Sequence, residues 1–201
     1  MKPDLRQFAP ATERNRDYIL PILQRLIAPG ASVLEIGSGT GEHAVYFARA
    51  LEQVRWHPTE MNPHGLASIA AWIEHAKASN ISPPQLLDVM QPSWPVTQAD
   101  AIVCINMIHY SPWEATPALF AGAARTLSQG GVLYCYGPYR RHGGHTAPSN
   151  EDFDAWLKSL DPRFGVRDVE MVEIEAERHG LRLEALIPMP ANNFSLVFRR
   201  A

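Results

Sequence analysis

The sequence predicts an α/β fold: a doubly wound, mostly parallel sheet that ends in an antiparallel C-terminal hairpin. Three observations predict it. Short apolar runs alternate with amphipathic helical stretches over residues 32–136, the pattern of a parallel sheet covered on both faces. A glycine turn, Gly37-Ser-Gly-Thr-Gly41, separates the first such run from the first such helix. The last two apolar runs, Leu181–Ile187 and Phe194–Phe198, are joined only by Pro188–Asn193, too short a link for the crossover that parallel neighbours need.

Residues 12–27 read as a helix carrying Ile19, Leu20, Leu23, Leu26 and Ile27 on one side, with Pro21 expected to kink or split it. Pro29-Gly30 ends it, and Ser32–Ile36 is a short buried strand. The helix after the glycine turn presents Ala44, Val45, Phe47, Ala48 and Leu51 at helical spacing. Val54–Thr59 is a second strand, and Asn62-Pro63 opens a helix with an Asn cap and Pro in first position. Strands at Pro84–Asp88 and Asp100–Asn106 follow. Trp113–Leu127 is helical, Gly130-Gly131 breaks it, and Val132–Tyr136 is a fifth strand. Ser149-Asn-Glu-Asp152 has the form of a capping box for a helix through Leu160, and Asp168–His179 is a further helix stopped by Gly180. The two hairpin strands bring the expected sheet to seven.

Composition narrows the function classes. The chain has 201 residues, with 18 Lys and Arg against 21 Asp and Glu and no basic run, so neither nucleic acid nor an anionic membrane is an expected partner. The N-terminus, Met1-Lys-Pro-Asp-Leu-Arg6, puts charges where a signal peptide needs an apolar core, and no apolar stretch approaches the roughly 20 residues of a membrane span. Cys104 and Cys135 lie in apolar runs and read as reduced core residues. A soluble, cytoplasmic protein is expected; its oligomeric state is not fixed by the sequence. Trp94, Trp113 and Trp156 are candidates for a dimer surface, although isolated aromatics are normally core.

The glycine turn carries the chemistry. Gly37, Gly39 and Gly41 let the backbone turn sharply and approach a ligand closely. In the dinucleotide pattern the third glycine would fall at position 42, which is Glu42. A carboxylate there would repel a pyrophosphate at the helix N-terminus, which disfavours NAD. No Gly-Lys-Ser/Thr follows for a nucleoside triphosphate. A cofactor without phosphate at this point is required, and S-adenosylmethionine, whose methionine ammonium and sulfonium carry positive charge, meets that requirement. Glu60 ends the second strand, where a carboxylate can accept from both ribose hydroxyls. Asp88, at the end of the third, can accept from an adenine amino group, and Asn106 closes the fourth. Each is individually as common in a solvated strand end, and a glycine turn can be purely structural; their order along the chain gives them weight.

As a set, Glu35-x-Gly37-x-Gly39-x-Gly41, Glu60, Asp88 and Asn106 resemble the class I, seven-strand S-adenosylmethionine-dependent methyltransferases over residues 30–137. A narrower resemblance spans nearly the whole chain. It rests on Pro10-Ala-x-x-Arg14-Asn15, Leu34–His43, Asn106-Met-Ile-His109-Tyr-Ser-Pro-Trp113, Ser149-Asn-x-x-Phe153-Asp154 and Met189-Pro-Ala-Asn-Asn193, which are similar to a small methyltransferase-like family of unassigned function that includes the methyltransferase-like 26 proteins. The resemblance implies a Rossmann-like fold with S-adenosylmethionine as cofactor and S-adenosylhomocysteine as product. It implies that Gly37, Ser38, Gly39, Thr40 and Gly41 frame the methionine moiety, with Glu35 ordering the turn. Glu60 would hold the ribose and Met61 pack on adenine. Asp88 and the Val89 backbone would read the adenine edge, Asn106 would lie beneath the sulfonium, and Arg14 would pair with the methionine carboxylate. It names no substrate. The chain then divides into a helical N-terminal segment (1–29), a cofactor-binding core (30–137) and a lid loop, helices and hairpin (138–201), all within one domain.

A small-molecule acceptor is expected near the fourth strand's end. His109 is the best-placed candidate base, with backbone hydrogen bonding as its ordinary alternative, and Tyr139 is a second catalytic candidate. Tyr110 and Trp113 are candidate walls of an aromatic pocket, Trp113 equally a helix anchor. Arg140, His142 and His145, among glycines after the fifth strand, are candidate contacts for an anionic substrate on a flexible lid. His142 and His145 lack the third ligand a zinc site needs, so no metal is expected. Asn192-Asn193 suits a tight turn, and Glu170–Arg178 reads as a solvated helix side. The competing expectation is a protein that binds the cofactor without transferring a methyl group.

Overall fold

The computed structural model describes residues 3–201; Met1 and Lys2, part of the expected N-terminal segment, lie outside the described residues. In chain order the elements are α1 (Pro10–Leu26), β1 (Ser32–Ile36), α2 (Glu42–Ala50), β2 (Arg55–Glu60), α3 (Pro63–Ala76), β3 (Gln85–Leu86), β4 (Ala99–Ile105), α4 (Ala115–Thr126), β5 (Leu127–Gly137), β6 (Tyr139–Arg141), β7 (Gly144–His145), α5 (Pro148–Leu160), β8 (Arg167–Asp168), α6 (Val169–Arg178), β9 (Leu181–Met189) and β10 (Asn193–Arg200).

Seven strands form the main sheet in the order β3-β2-β1-β4-β5-β10-β9. The first five run parallel, and β10 returns antiparallel between β5 and β9. Because successive side chains point to opposite faces, Leu34, Ile36, Ile102, Cys104, Leu133 and Cys135 pack against α4 and α6. Val33, Ala101, Val103, Val132 and Tyr134 pack against α1 and α2. Both faces are dry, which is why these strands are continuously apolar. Chain order reverses between β1 and β4, so the carboxyl ends of those two strands flank the crevice where ligands of open α/β sheets bind.

Several local expectations are corrected. Pro21 does not split α1: it sits on an exposed position of a continuous helix, where the carbonyl left without its donor faces water. The third strand shrinks to Gln85–Leu86, because the Asp88 carboxylate accepts from the Met90 N–H (3.0 Å) and turns the chain. Gly130-Gly131 does not separate helix from strand; α4 stops at Thr126 and β5 starts at Leu127. Ser149 caps nothing: α5 begins at Pro148 behind Ala147, without a side-chain cap, and Ser149 Oγ accepts from Asn192 Nδ2 instead (3.3 Å). The Asn192 turn does form, with Ala191 and Asn192 both at positive φ.

The expected lid loop is an ordered hairpin. Strands β6 and β7 pair with each other, and β6 with β8, in a small second sheet. No helix among the described residues is long and apolar enough to cross a membrane.

Candidate active site

Five stretches far apart in sequence meet at the carboxyl edge of the sheet: the glycine turn after β1, Glu60 after β2, Asp88 after β3, residues 106–111 after β4, and Asn15 of α1. The glycine turn is held from three directions. Its backbone takes φ of +66, +57 and +95 at Gly37, Gly39 and Gly41, a region costly to other residues. At Gly41 a side chain would also strike the Ile69 Cα of α3, 2.8 Å from an added Cβ. Gly39 faces open space, which leaves a cradle beside the turn.

Three carboxylates fasten that turn. Glu35, buried at the end of β1, accepts from Ser38 Oγ and Trp56 Nε1, both at 2.9 Å. Burial pushes its carboxyl up to about 7, against the pull of those two donors. Glu60 accepts from the Gly39 N–H (2.9 Å) through one oxygen and from the Met61 and Asn62 N–H groups (2.9 and 3.0 Å) through the other. Glu42 accepts from Thr40 Oγ1 (3.0 Å) and from the Ala9 N–H (2.6 Å), drawing the N-terminal strap onto the turn. Gln7 continues that strap: its N–H donates to Ser68 Oγ and its carbonyl accepts from Trp72 Nε1. None of the three carboxylates is hydrogen-bonded to a cationic side chain among the described residues. Glu42 and Glu60 make the site electronegative. It suits a cation and repels a phosphate.

On the β4 side, Asn106 adopts a left-handed conformation (φ +61) and its N–H donates to the Tyr136 carbonyl (2.8 Å). The turn it opens carries Met107, whose side chain lies against Gly37. Met61 is exposed, Val89 is buried, and Arg14 is exposed on α1 with no ion-pair partner among the described residues.

The structure corrects the reading of His109 and Tyr139. Both are fully buried, their rings meeting edge to face at 4.7 Å. His109 Nδ1 accepts from the Arg167 N–H (3.3 Å), while Nε2 is sealed without a partner against Gly137. Burial first, and then the Arg167 charge, drive the imidazole down to about 3; burial drives the Tyr139 phenol upward. Neither has an exposed face to offer a substrate in this structure. Trp113 likewise is partly buried beneath the Arg167 guanidinium. Tyr110 is exposed and joins Phe153 and Trp156 of α5 in a ring cluster with centroids 5.6–6.0 Å apart.

The basic groups of the 139–145 hairpin are already paired. Arg140 donates to buried Asp154 (2.7 Å), which also holds Lys158 (2.6 Å) and the Val166 N–H (2.7 Å), with His145 Nε2 3.6 Å away. Glu170 takes Arg141 (2.9 Å) and His142 (3.2 Å). His142 and His145 are thus engaged by different carboxylates, and a free anion-binding lid is not what the sequence folds into.

Two further groups stand at this edge. Glu42, which the sequence presents as an obstacle to pyrophosphate, anchors the strap. His43 carries no expectation from the sequence. Its Nε2 lies 2.7 Å from Asn15 Oδ1, and its place in the first turn of α2, just past the last glycine, is the signal that marks it.

A family model described as "Protein of unknown function (DUF938)" matches residues 6–200. Among solved structures, the chain is similar to an O-methyltransferase family protein from Burkholderia thailandensis (TM-score 0.81, 15% identity, 95% of this chain and 56% of that one). It is similar to the S-adenosylmethionine-dependent methyltransferase SibL (0.78, 17%, 94% and 55%). A candidate sarcosine dimethylglycine methyltransferase from Galdieria sulphuraria aligns over 100% of this chain and 94% of its own (0.76, 14%). The chain thus spans about half the length of the first two. At these identities the likeness is one of fold.

Proposed function

The chain belongs to the DUF938 family, and for this member we propose S-adenosylmethionine-dependent methyl transfer to a small-molecule acceptor. One observation carries the reading: a glycine turn at the β1/β4 switch point, fastened by Glu35, Glu42 and Glu60 without a bonded cation. The carboxylates of Glu42 and Glu60 in that arrangement fit a sulfonium and an ammonium and oppose the pyrophosphate of a dinucleotide. The likeness in fold to enzymes named as methyltransferases supports it, as does the resemblance to the methyltransferase-like 26 proteins.

S-adenosylmethionine supplies a methyl group that moves in line to a nucleophile while the electron pair of the C–S bond returns to sulfur. The residues' task is then positioning and exclusion of water. Gly37, Ser38, Gly39, Thr40 and Gly41 would cradle the methionine moiety through backbone groups, and Arg14 would reach its carboxylate. Glu60, which keeps one lone-pair site on Oε2 beyond its three backbone donors, would accept from a ribose hydroxyl. Met61 would cover the adenine, Asp88 and Val89 would meet its edge, and Asn106 would close the floor. Tyr110 would stand at the acceptor's side.

A second reading, cofactor binding without transfer, draws on the burial of His109, which removes the base anticipated from the sequence. Parallel calorimetric titrations with S-adenosylmethionine, S-adenosylhomocysteine and NAD test the proposal. Binding of the two adenosyl ligands and not of NAD is expected; binding of NAD alone would overturn it. Methylated product from a screen of small hydroxyl and amine acceptors separates the enzyme from the sensor.

A further inference from the structure

We infer that Asn15, His43 and Tyr136 form the wall of the site that faces the methyl acceptor, and that His43 Nδ1 receives the O–H or N–H of that molecule. The inference rests on the methyltransferase reading and goes beyond it by naming the group that selects a hydrogen-bond donor.

The three residues come from α1, α2 and the end of β5, and they meet beside the switch point. Tyr136 adjoins Ile105 in the β4/β5 register, and its carbonyl accepts from the Asn106 N–H. Asn15, beside the Tyr136 phenol, places its Oδ1 2.7 Å from His43 Nε2. A carbonyl oxygen can only accept, so the Nε2 of His43 carries the proton and Nδ1 carries the lone pair. The ring is fixed in place by stacking on Phe47, with centroids 5.4 Å apart and planes 5° apart. Burial, and then the Arg16 charge, hold it neutral down to about 3, so the lone pair persists at any working pH.

That lone pair has no hydrogen-bond partner among the described residues, and unlike His109 Nε2 it is not sealed in the core. A fixed, neutral, half-buried acceptor at the ligand-binding edge of the sheet is an orienting device. An acceptor molecule that donates its O–H or N–H here keeps the lone pair on the same heteroatom free to meet the methyl carbon. An acceptor with no proton on the reacting heteroatom finds nothing to bind and leaves Nδ1 desolvated, which is a basis for selection.

The test uses sinefungin, an S-adenosylmethionine analogue with an amine-bearing carbon in place of the methylated sulfur. Its amine occupies the position of the departing methyl and offers N–H groups to whatever lines the acceptor side. The native protein is expected to bind sinefungin roughly tenfold more tightly than S-adenosylhomocysteine, the ratio of one charge-assisted hydrogen bond. His43→Phe, which keeps the stacking ring, should lower the ratio several-fold while leaving S-adenosylhomocysteine affinity unchanged; His43→Asn, whose amide oxygen can stand near Nδ1, should restore part of it. An unchanged ratio in His43→Phe, or an equal loss of both ligands, would overturn the assignment. Failure of the native protein to bind S-adenosylhomocysteine at all would instead bring down the methyltransferase reading and this inference with it. Should His43→Phe not fold, long-range proton–nitrogen NMR of the native protein decides. The Nε2–H form at pH 5–8, with an Nδ1 resonance moved by sinefungin and not by S-adenosylhomocysteine, supports the assignment, and the opposite tautomer refutes it.

Discussion

The glycine turn and the 139–145 hairpin are both tight turns after a strand of the main sheet, and both are tied down by carboxylates. They differ in what those carboxylates hold. Glu35, Glu42 and Glu60 accept from backbone N–H groups, hydroxyls and an indole, with no cation among their hydrogen-bond partners. Asp154 and Glu170 accept from Arg140, Lys158 and Arg141. Around the first turn Glu42 and Glu60 have no cation bonded to them and the cradle stays open, whereas the second cancels its charge internally. Ordered turns of similar size can thus serve opposite ends, and hydrogen-bond partners distinguish them better than composition does.

The largest expected effect lies in the glycine turn. Gly41→Val places a β-branched side chain at φ +95 and its Cβ 2.8 Å from the Ile69 Cα. Backbone strain and overpacking together should cost about 4 kcal/mol, read as a lower urea midpoint. A midpoint within error of the native protein would mean that the turn relaxes freely, and the contrast with the hairpin would dissolve.

On the hairpin side, Asp154→Ala strips one buried carboxylate from Arg140, Lys158 and the Val166 N–H. A loss of about 3 kcal/mol is expected, at the low end for a buried pair because Arg140 and Lys158 are partly exposed and can be rehydrated. Hydrogen exchange should show the 139–145 amides opening while those of the glycine turn keep their protection. Equal loosening of both would make the two regions one cooperative unit.

How far each region can be read from sequence follows the same division. The glycine turn, its flanking strand and helix, and the acidic strand ends are local features: φ requirements at Gly37–Gly41 and apolar periodicity leave little choice of structure. The count of seven strands and the antiparallel C-terminal hairpin follow from short runs and link lengths; the strand order does not. The pairing of Arg140 with Asp154 and of Arg141 with Glu170 is a choice among many carboxylates, settled only when α5 and α6 pack beside β6. A basic, glycine-rich stretch therefore read as a free lid. His109 misled for a related reason. Its position after β4 is a catalytic one by sequence, but Gly137 and Tyr139 on the neighbouring strand close over its ring, and no local pattern announces that. Asn15, His43 and Tyr136 were illegible as a group because they become neighbours only through α1 and the β4/β5 register.

The pH response sharpens the comparison at the turn itself. Glu35 has its folded-state value raised from 4.5 to about 7, so the native state holds more protons than the unfolded chain between those values. The stability this confers is present below about 4.5 and is lost as pH rises through 7. In the Glu35→Gln protein, which mimics the protonated form, that loss should vanish. The native protein should forfeit about 2 kcal/mol relative to the variant between pH 5 and 7. Melts of the two proteins across that range check it, and the buried histidines cancel in the difference because both proteins carry them. Parallel curves would show that Glu35 is ionised in the fold and that the turn tolerates a full buried charge.

The smallest effect separates cause from ornament in the hairpin. His142 lies 3.2 Å from Glu170, but its side chain is 78% exposed, and exposed ion pairs contribute little. The stronger hold on Glu170 comes from Arg141 and from the His142 backbone N–H, which donates to its other oxygen at 2.9 Å. His142→Ala keeps that N–H and should change stability by less than about 0.5 kcal/mol, although the positive φ at this residue (52) is one that alanine tolerates no better than histidine. His142→Gly relieves that strain and should be slightly more stable than His142→Ala. If His142→Ala instead cost as much as Asp154→Ala, the imidazole itself would be holding the hairpin shut.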